Sequence, residues 1–128
     1  MSNGKQRLIA LAEFFKSKTD EEHIYSASQI IEELAQQGID AERKALYSDI
    51  DALKLSGYDI VCTRTPKAGF FLASRDFEEA EVRLMIDAVQ AAKFITAKKT
   101  DSLVTKIGDL LSEPQADKLK SQVYIDKS

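Results

Sequence analysis

Residues 26–57, SASQIIEELAQQGIDAERKALYSDIDALKLSG, hold two helical patterns, each closed by a glycine, with only GIDA between them. Two short amphipathic helices joined so tightly must pack across one another, which leaves few folds open. In the first, Ser26 or Ser28 can cap the start, Ile30, Ile31, Leu34 and Ala35 make the apolar face, and Gly38 ends it. Ile39 is placed to plug the corner. The second helix opens at Asp40, whose carboxylate can accept first-turn N–H groups, and stops at Gly57, which can take the left-handed conformation. Its apolar residues Leu46, Ile50 and Leu53 recur at i, i+4 and i+7, a narrow stripe. Ala41, Lys44, Ala45, Ser48 and Asp51 project from the other side, and the core has no use for them.

The flanking segments complete a pattern. Residues 5–18 carry Leu8, Leu11, Ala12 and Phe15 at helical spacing, with Ile9 and Phe14 widening the face, and TDEEHIYSAS then interrupts the helix. After Gly57, YDIVCT and GFFLA are rich in β-branched and aromatic residues and are joined by RTPKA, which predicts a hairpin with Arg64 and Lys67 at its tip. Three helices and a hairpin in this order predict a winged helix-turn-helix at 1–75. From residue 77 the pattern is helical again, FEEAEVRLMIDAVQAAKFITAKK, and a further helix at 102–111 contains Leu103, Ile107, Leu110 and Leu111. Pro114 marks a break before a short helical QADKLKS, and QVYID reads as a strand. The fold class expected is mainly α with a small β-hairpin, a winged helix-turn-helix followed by a helical extension at 76–128.

Composition narrows the chemistry. The first 15 residues contain no long apolar run and no cleavage site, so neither a signal peptide nor a membrane span is expected, and the chain is assigned to the cytoplasm. Cys62 is the only cysteine and His23 the only histidine, which excludes an internal disulfide and leaves no cluster with metal-ligand spacing; no cofactor is expected. His23 reads as a surface residue and Cys62 as a small buried apolar one. The acidic runs DEEH and DFEE suit helix starts, where carboxylates are favoured, and no supporting residue turns them into a catalytic pair. An enzyme is not expected.

The net charge of −3 argues mildly against a nucleic-acid partner, but the charge is uneven. Residues 41–75 carry 6 Lys/Arg against 4 Asp/Glu, the only net positive block. A B-DNA major groove admits one α-helix, whose early residues reach base edges while neighbouring elements touch phosphates. Lys44 and Ser48 would then point outward, with Arg43 and Tyr47 on one flank, and Arg64 and Lys67 would reach backbone or minor groove. Asp49 is expected to pair with a neighbouring Arg or Lys, and Asp51 to lie beyond the contact zone. The alternative is a winged helix that serves as a protein-interaction module without DNA.

The segments KQRLIALAEFF, SASQIIEELAQQGI, AERKALYSDIDALKLSGYDI, GFFLASRDFE, AVQAAKFIT and QVYID, taken in order, resemble the N-terminal part of bacterial WYL-domain transcriptional regulators. The resemblance covers residues 5–75, and more loosely the helices up to 125. It implies a DNA-binding winged domain, a helical connector and then a sensor domain that recognises a ligand. Two departures stand out. Many members carry a basic residue where this chain has Ser48, and the sensor domain is missing, so an effector would act only through a C-terminal domain absent from this sequence. That reading suggests a fragment of a longer regulator, the alternative being a natural stand-alone protein.

A homodimer is also expected. Residues 77–95 present apolar side chains over a wide arc: Leu84, Ala88, Ala91 and Ile95 form one seam, and Val82, Met85, Val89 and Ala92 an adjacent one. One seam can pack on the helix at 102–111, which leaves the other as an interface. The dimerisation residues expected are Leu84, Met85, Ala88, Val89, Ala92 and Ile95, with two recognition helices presented to half-sites of a palindromic operator.

Overall fold

The computed structural model describes residues 3–127, and the side chains of residues 3–123. Among them the protein is mainly helical with one two-stranded antiparallel hairpin, a winged helix-turn-helix followed by further helices. It forms two compact units, Met1–Ser74 and Arg75–Ser128.

In the first unit α1 (Gly4–Lys18), α2 (Ala27–Gln36) and α3 (Arg43–Leu55) precede β1 (Ile60–Thr63) and β2 (Gly69–Leu72). Their apolar faces converge on one core, with Leu11, Phe14 and Phe15 from α1, Ile30 and Leu34 from α2, Leu46, Ile50 and Leu53 from α3, and Ile60 and Leu72 from the hairpin. Ser26 is the N-cap of α2 and makes a reciprocal box with Gln29: its hydroxyl accepts from Gln29 N at 3.2 Å, and Gln29 Oε1 accepts from Ser26 N at 2.9 Å.

Both glycine stops are the same device. At the end of α2, Ile39 N donates to Leu34 O and Gly38 N to Ala35 O; at the end of α3, Tyr58 N donates to Leu53 O and Gly57 N to Lys54 O. This paired bonding needs a left-handed residue, supplied by Gly38 at φ 78° and Gly57 at φ 105°. Ile39 is buried at the corner, as its position in the turn predicts.

Several expectations need correction. The N-cap of α3 is Glu42, without a side-chain cap bond, so the helix starts later than Asp40. Ala41 therefore lies outside the helix and packs on the core, and Ala45 is half-buried rather than outward. Ile9 is 68% exposed, because the core takes Leu11, Phe14 and Phe15 and leaves no neighbour over Ile9. Cys62 is exposed: it shares the face of Ile60 by alternation, but it lies nearer the turn, opposite Phe70, whereas the buried pair Ile60 and Leu72 lies at the other end of the hairpin.

The hairpin has a third contributor. Tyr25 bridges Phe70 through Tyr25 N to Phe70 O at 3.1 Å and Phe70 N to Tyr25 O at 2.8 Å, so the loop after α1 runs along β2. A Cβ at Gly69 would lie 2.5 Å from Tyr25 O, which is why a glycine begins β2.

The second unit contains α4 (Glu79–Ala91), α5 (Ala97–Gly108) and α6 (Glu113–Lys127). Val82 and Ile86 of α4, Val104 of α5, Leu111, and Leu119 and Val123 of α6 form its core, with Met85 and Ile107 packed against it. The run from 77 to 99 is not one helix. α4 ends at Ala91, Ala92 is extended, and Thr96 caps α5 by accepting from Lys99 N at 3.2 Å. The helix expected at 102–111 accordingly begins at Ala97 and ends at Gly108. QVYID is no strand: α6 continues through it to Lys127, because Ala116, Leu119 and Val123 are buried at i, i+3 and i+7. Pro114 sits in the first turn of that helix, where a missing N–H costs nothing. Tyr124, Ile125 and Asp126 have side chains outside the described set. Among the described residues no helix is long and apolar enough to cross a membrane.

Candidate nucleic-acid interface

The outer face of α3 carries Lys44, Ser48 and Asp51, all exposed, and Arg43 is exposed at its first position. Helical geometry decides this arrangement: with Leu46, Ile50 and Leu53 fixed in the core, Lys44 and Ser48 fall about half a turn away. Tyr47 lies between the two faces. It is 45% exposed, and its ring sits 6.2 Å from that of Phe70, tilted by 51°. The hydroxyl-bearing side of α3 is thus steadied by the hairpin.

Other elements are tied to the same surface. Arg43 Nη2 donates to Ser28 Oγ, which connects the start of α3 to the first turn of α2. Lys67 Nζ donates to Gln29 Oε1 at 2.7 Å and to Ile24 O at 3.0 Å, which connects the hairpin tip to that same turn. Arg43, Lys44, Tyr47, Ser48 and Lys67 therefore surround the N-terminus of α2 and the N-terminal half of α3. Arg64 is exposed on the turn at 64–68. The sequence treated Lys67 as a free tip cation, whereas it folds back to two carbonyl-type acceptors and helps fix the wing.

On the opposite flank of α3, Asp49 is held by α1. Arg7 Nε donates to Asp49 Oδ2 at 2.6 Å and Arg7 Nη2 to Oδ1 at 3.4 Å, with side-chain exposures of 21% and 13%. The hydrogen bond to Asp49 raises the Arg7 pKa above its ordinary value, against a smaller lowering by desolvation. The pairing of Asp49 with a basic residue is as its sequence context predicts. The partner itself was not legible: Arg7 lies 42 residues earlier, half-buried on the face of α1 that also carries Leu11. Ser28, Gln29, Tyr25 and Phe70 were missed, because nothing local in HIYSAS or GFFLA indicates which segments meet.

His23 is exposed and its Nδ1 lies 2.7 Å from Asp20 Oδ1 within one turn, a local contact away from α3. In the second unit the residues expected at an interface separate. Met85 packs inward on the core and Val89 is half-buried, while Leu84 is 70% exposed and Ala88 and Ala91 lie exposed beside it. Ala92 and Ile95 fall beyond the end of α4 and do not extend that seam. Searches against models of protein families, curated proteins and solved structures return no match.

Proposed function

We propose that this protein binds double-stranded DNA in a sequence-dependent manner and acts in the cytoplasm as the DNA-binding part of a WYL-type transcriptional regulator. The observation that carries the reading is the outer face of α3: Lys44 and Ser48 are exposed, Arg43 and Tyr47 flank them, and the hairpin stands alongside. A face of that size and polarity fits a major groove, with Lys44 and Ser48 at base edges and Arg43 and Tyr47 at phosphates. Arg64 is the hairpin cation available to the adjacent backbone. Lys67 contributes through its charge and by holding the wing. An effector belongs to the proposal only as the ligand of a sensor domain beyond residue 128.

Selection of bound duplexes from a random pool, followed by titration at several salt concentrations, tests the reading. A recovered consensus whose affinity falls steeply with salt supports it, since counterions released from phosphates make such binding salt-dependent. No enriched duplex would refute it. A partner bound with little salt dependence would instead favour the protein-interaction module.

The protein is further proposed to act as a homodimer through α4, by the face that the core leaves uncovered: Leu84, Ala88 and Ala91. Glu78 and Glu81 are exposed at the start of α4, and Lys93 is exposed just beyond its end. Antiparallel pairing of two copies would set the acidic start of each against the basic end of the other. Two α3 helices would then meet two half-sites.

A further inference from the structure

α3 is held from both flanks, and the two contacts differ in kind. On one side Tyr47 leans its ring on Phe70. On the other Asp49 receives two donors from Arg7, 42 residues earlier in the chain. Asp49 follows Ser48 directly, about 100° around the helix, so it borders the face assigned to DNA. A carboxylate there would repel a phosphate backbone. Its oxygens, however, are turned to a guanidinium whose fork matches them and which keeps its charge at any working pH.

We infer that Arg7, which need not touch DNA, is a positioning residue: through Asp49 it sets the roll of α3 and masks the carboxylate that borders the Ser48 face on its core side, whereas Asp51 stays exposed on the outer face. This rests on the DNA-binding reading. The surroundings agree with a placed contact. Arg7 stands in the first two turns of α1, a helix started by Asn3, whose Oδ1 accepts from Lys5 N at 2.8 Å and Gln6 N at 3.3 Å. Leu11, one turn further along the same face as Arg7, is fully buried in the core that also holds Leu46 and Ile50. The guanidinium is therefore delivered to α3 by packing on both sides of the ion pair.

The neutral variants separate positioning with masking from simple structural support. In Asp49→Asn the amide oxygen still accepts from Arg7, so position is kept and the negative charge is gone. In Arg7→Gln the charge is exposed and the fork is lost. The double variant Arg7→Gln/Asp49→Asn removes the charge and keeps one neutral hydrogen bond. The full chain and these three variants are titrated against the selected duplex at four or so salt concentrations, with folding checked by circular dichroism.

Arg7→Gln is expected to weaken binding roughly tenfold and to make the salt slope shallower by about one, because a freed carboxylate cancels about one phosphate contact. Asp49→Asn should lose less than Arg7→Gln, and the double variant should recover the parent slope and most of the affinity. Equal losses in both single variants, or a double variant as weak as Arg7→Gln, overturn the inference, since a purely structural pair gives that pattern. If Arg7→Gln does not fold, Arg7→Lys carries the test: it keeps the charge and should keep the parent slope, and a slope shallower by about one refutes the masking. A parent chain that binds no selected duplex overturns the DNA reading and this inference together. A parent that binds, with variants indistinguishable from it, overturns the inference alone.

Discussion

α3 and α4 have the same length, 13 residues each, yet differ in the middle of the face they leave uncovered, Lys44 and Ser48 on α3 and Leu84 with Ala88 on α4. α3 buries Leu46, Ile50 and Leu53 and exposes Lys44, Ser48 and Asp51, with Tyr47 beside them and Leu55 at its end; α4 buries Val82 and Ile86 and exposes Leu84 and three alanines together with Glu81 and Asp87. α3 is also anchored from three directions, by Arg7, Ser28 and Phe70, all through side chains that reach its flanks. α4 has Arg83 bonded to Asp87 on its own surface at 3.3 Å, an exposed pair worth little. The contrast teaches that a polar outer face can be the more precisely held one.

The largest effects should come from the cores that hold the two helices. Ile50→Ala and Ile86→Ala each remove a buried side chain and should cost about 2–5 kcal/mol in denaturant unfolding. A loss below about 1 kcal/mol at Ile50 would mean that α3 is not fixed by its narrow stripe. Gly69→Ala comes next. Its Cβ would press on backbone at Tyr25, and about 1–3 kcal/mol of overpacking should appear as a lower denaturation midpoint. An unchanged midpoint would show that the loop at Tyr25 yields freely.

Surface changes should separate function from folding. Lys44→Ala should leave stability within about 0.5 kcal/mol and weaken the selected duplex by about 1–3 kcal/mol with an altered base preference. An unchanged isotherm would remove Lys44 from the reading surface. Ser26→Ala breaks the box that starts α2 and should cost about 1 kcal/mol; thermal unfolding would detect it. Smallest for folding is Leu84→Ala, within about 0.5 kcal/mol, because the side chain is exposed. Light scattering sharpens that case: Leu84→Glu should convert a dimer to monomer, and a parent chain already monomeric at high micromolar concentration would eliminate the α4 interface.

Much of the molecule follows from local pattern. The two glycine stops, the serine cap of α2, the three-residue stripe of α3 and the antiparallel hairpin are each specified within a few residues, by backbone sterics and by the period of apolar side chains. The candidate face of α3 was legible for the same reason: once Leu46, Ile50 and Leu53 are inside, Lys44 and Ser48 have no other place to point. Where two local readings competed, the sequence was insufficient. QVYID has the β-branched and aromatic content of a strand, but Val123 continues the spacing set by Ala116 and Leu119, and burial of that face favours helix. Cys62 shares the face of Ile60 by alternation, and only how far the core extends along the hairpin decides that it is exposed.

What the sequence determined by itself was the glycine stops of α2 and α3, the serine start of α2 and the stripe that α3 would bury, while the starts of α3 and α5 and the break after Ala91 escaped it. Only tertiary structure decided which residues from distant segments meet: Arg7 with Asp49, Tyr25 with Phe70, Lys67 with Gln29, and which of the two seams of α4 goes inside. The physical reason is range. Capping and periodicity act over one or two turns of chain, whereas an ion pair spanning 42 residues or a wing packed on a loop depends on how whole faces fit once their apolar atoms leave water.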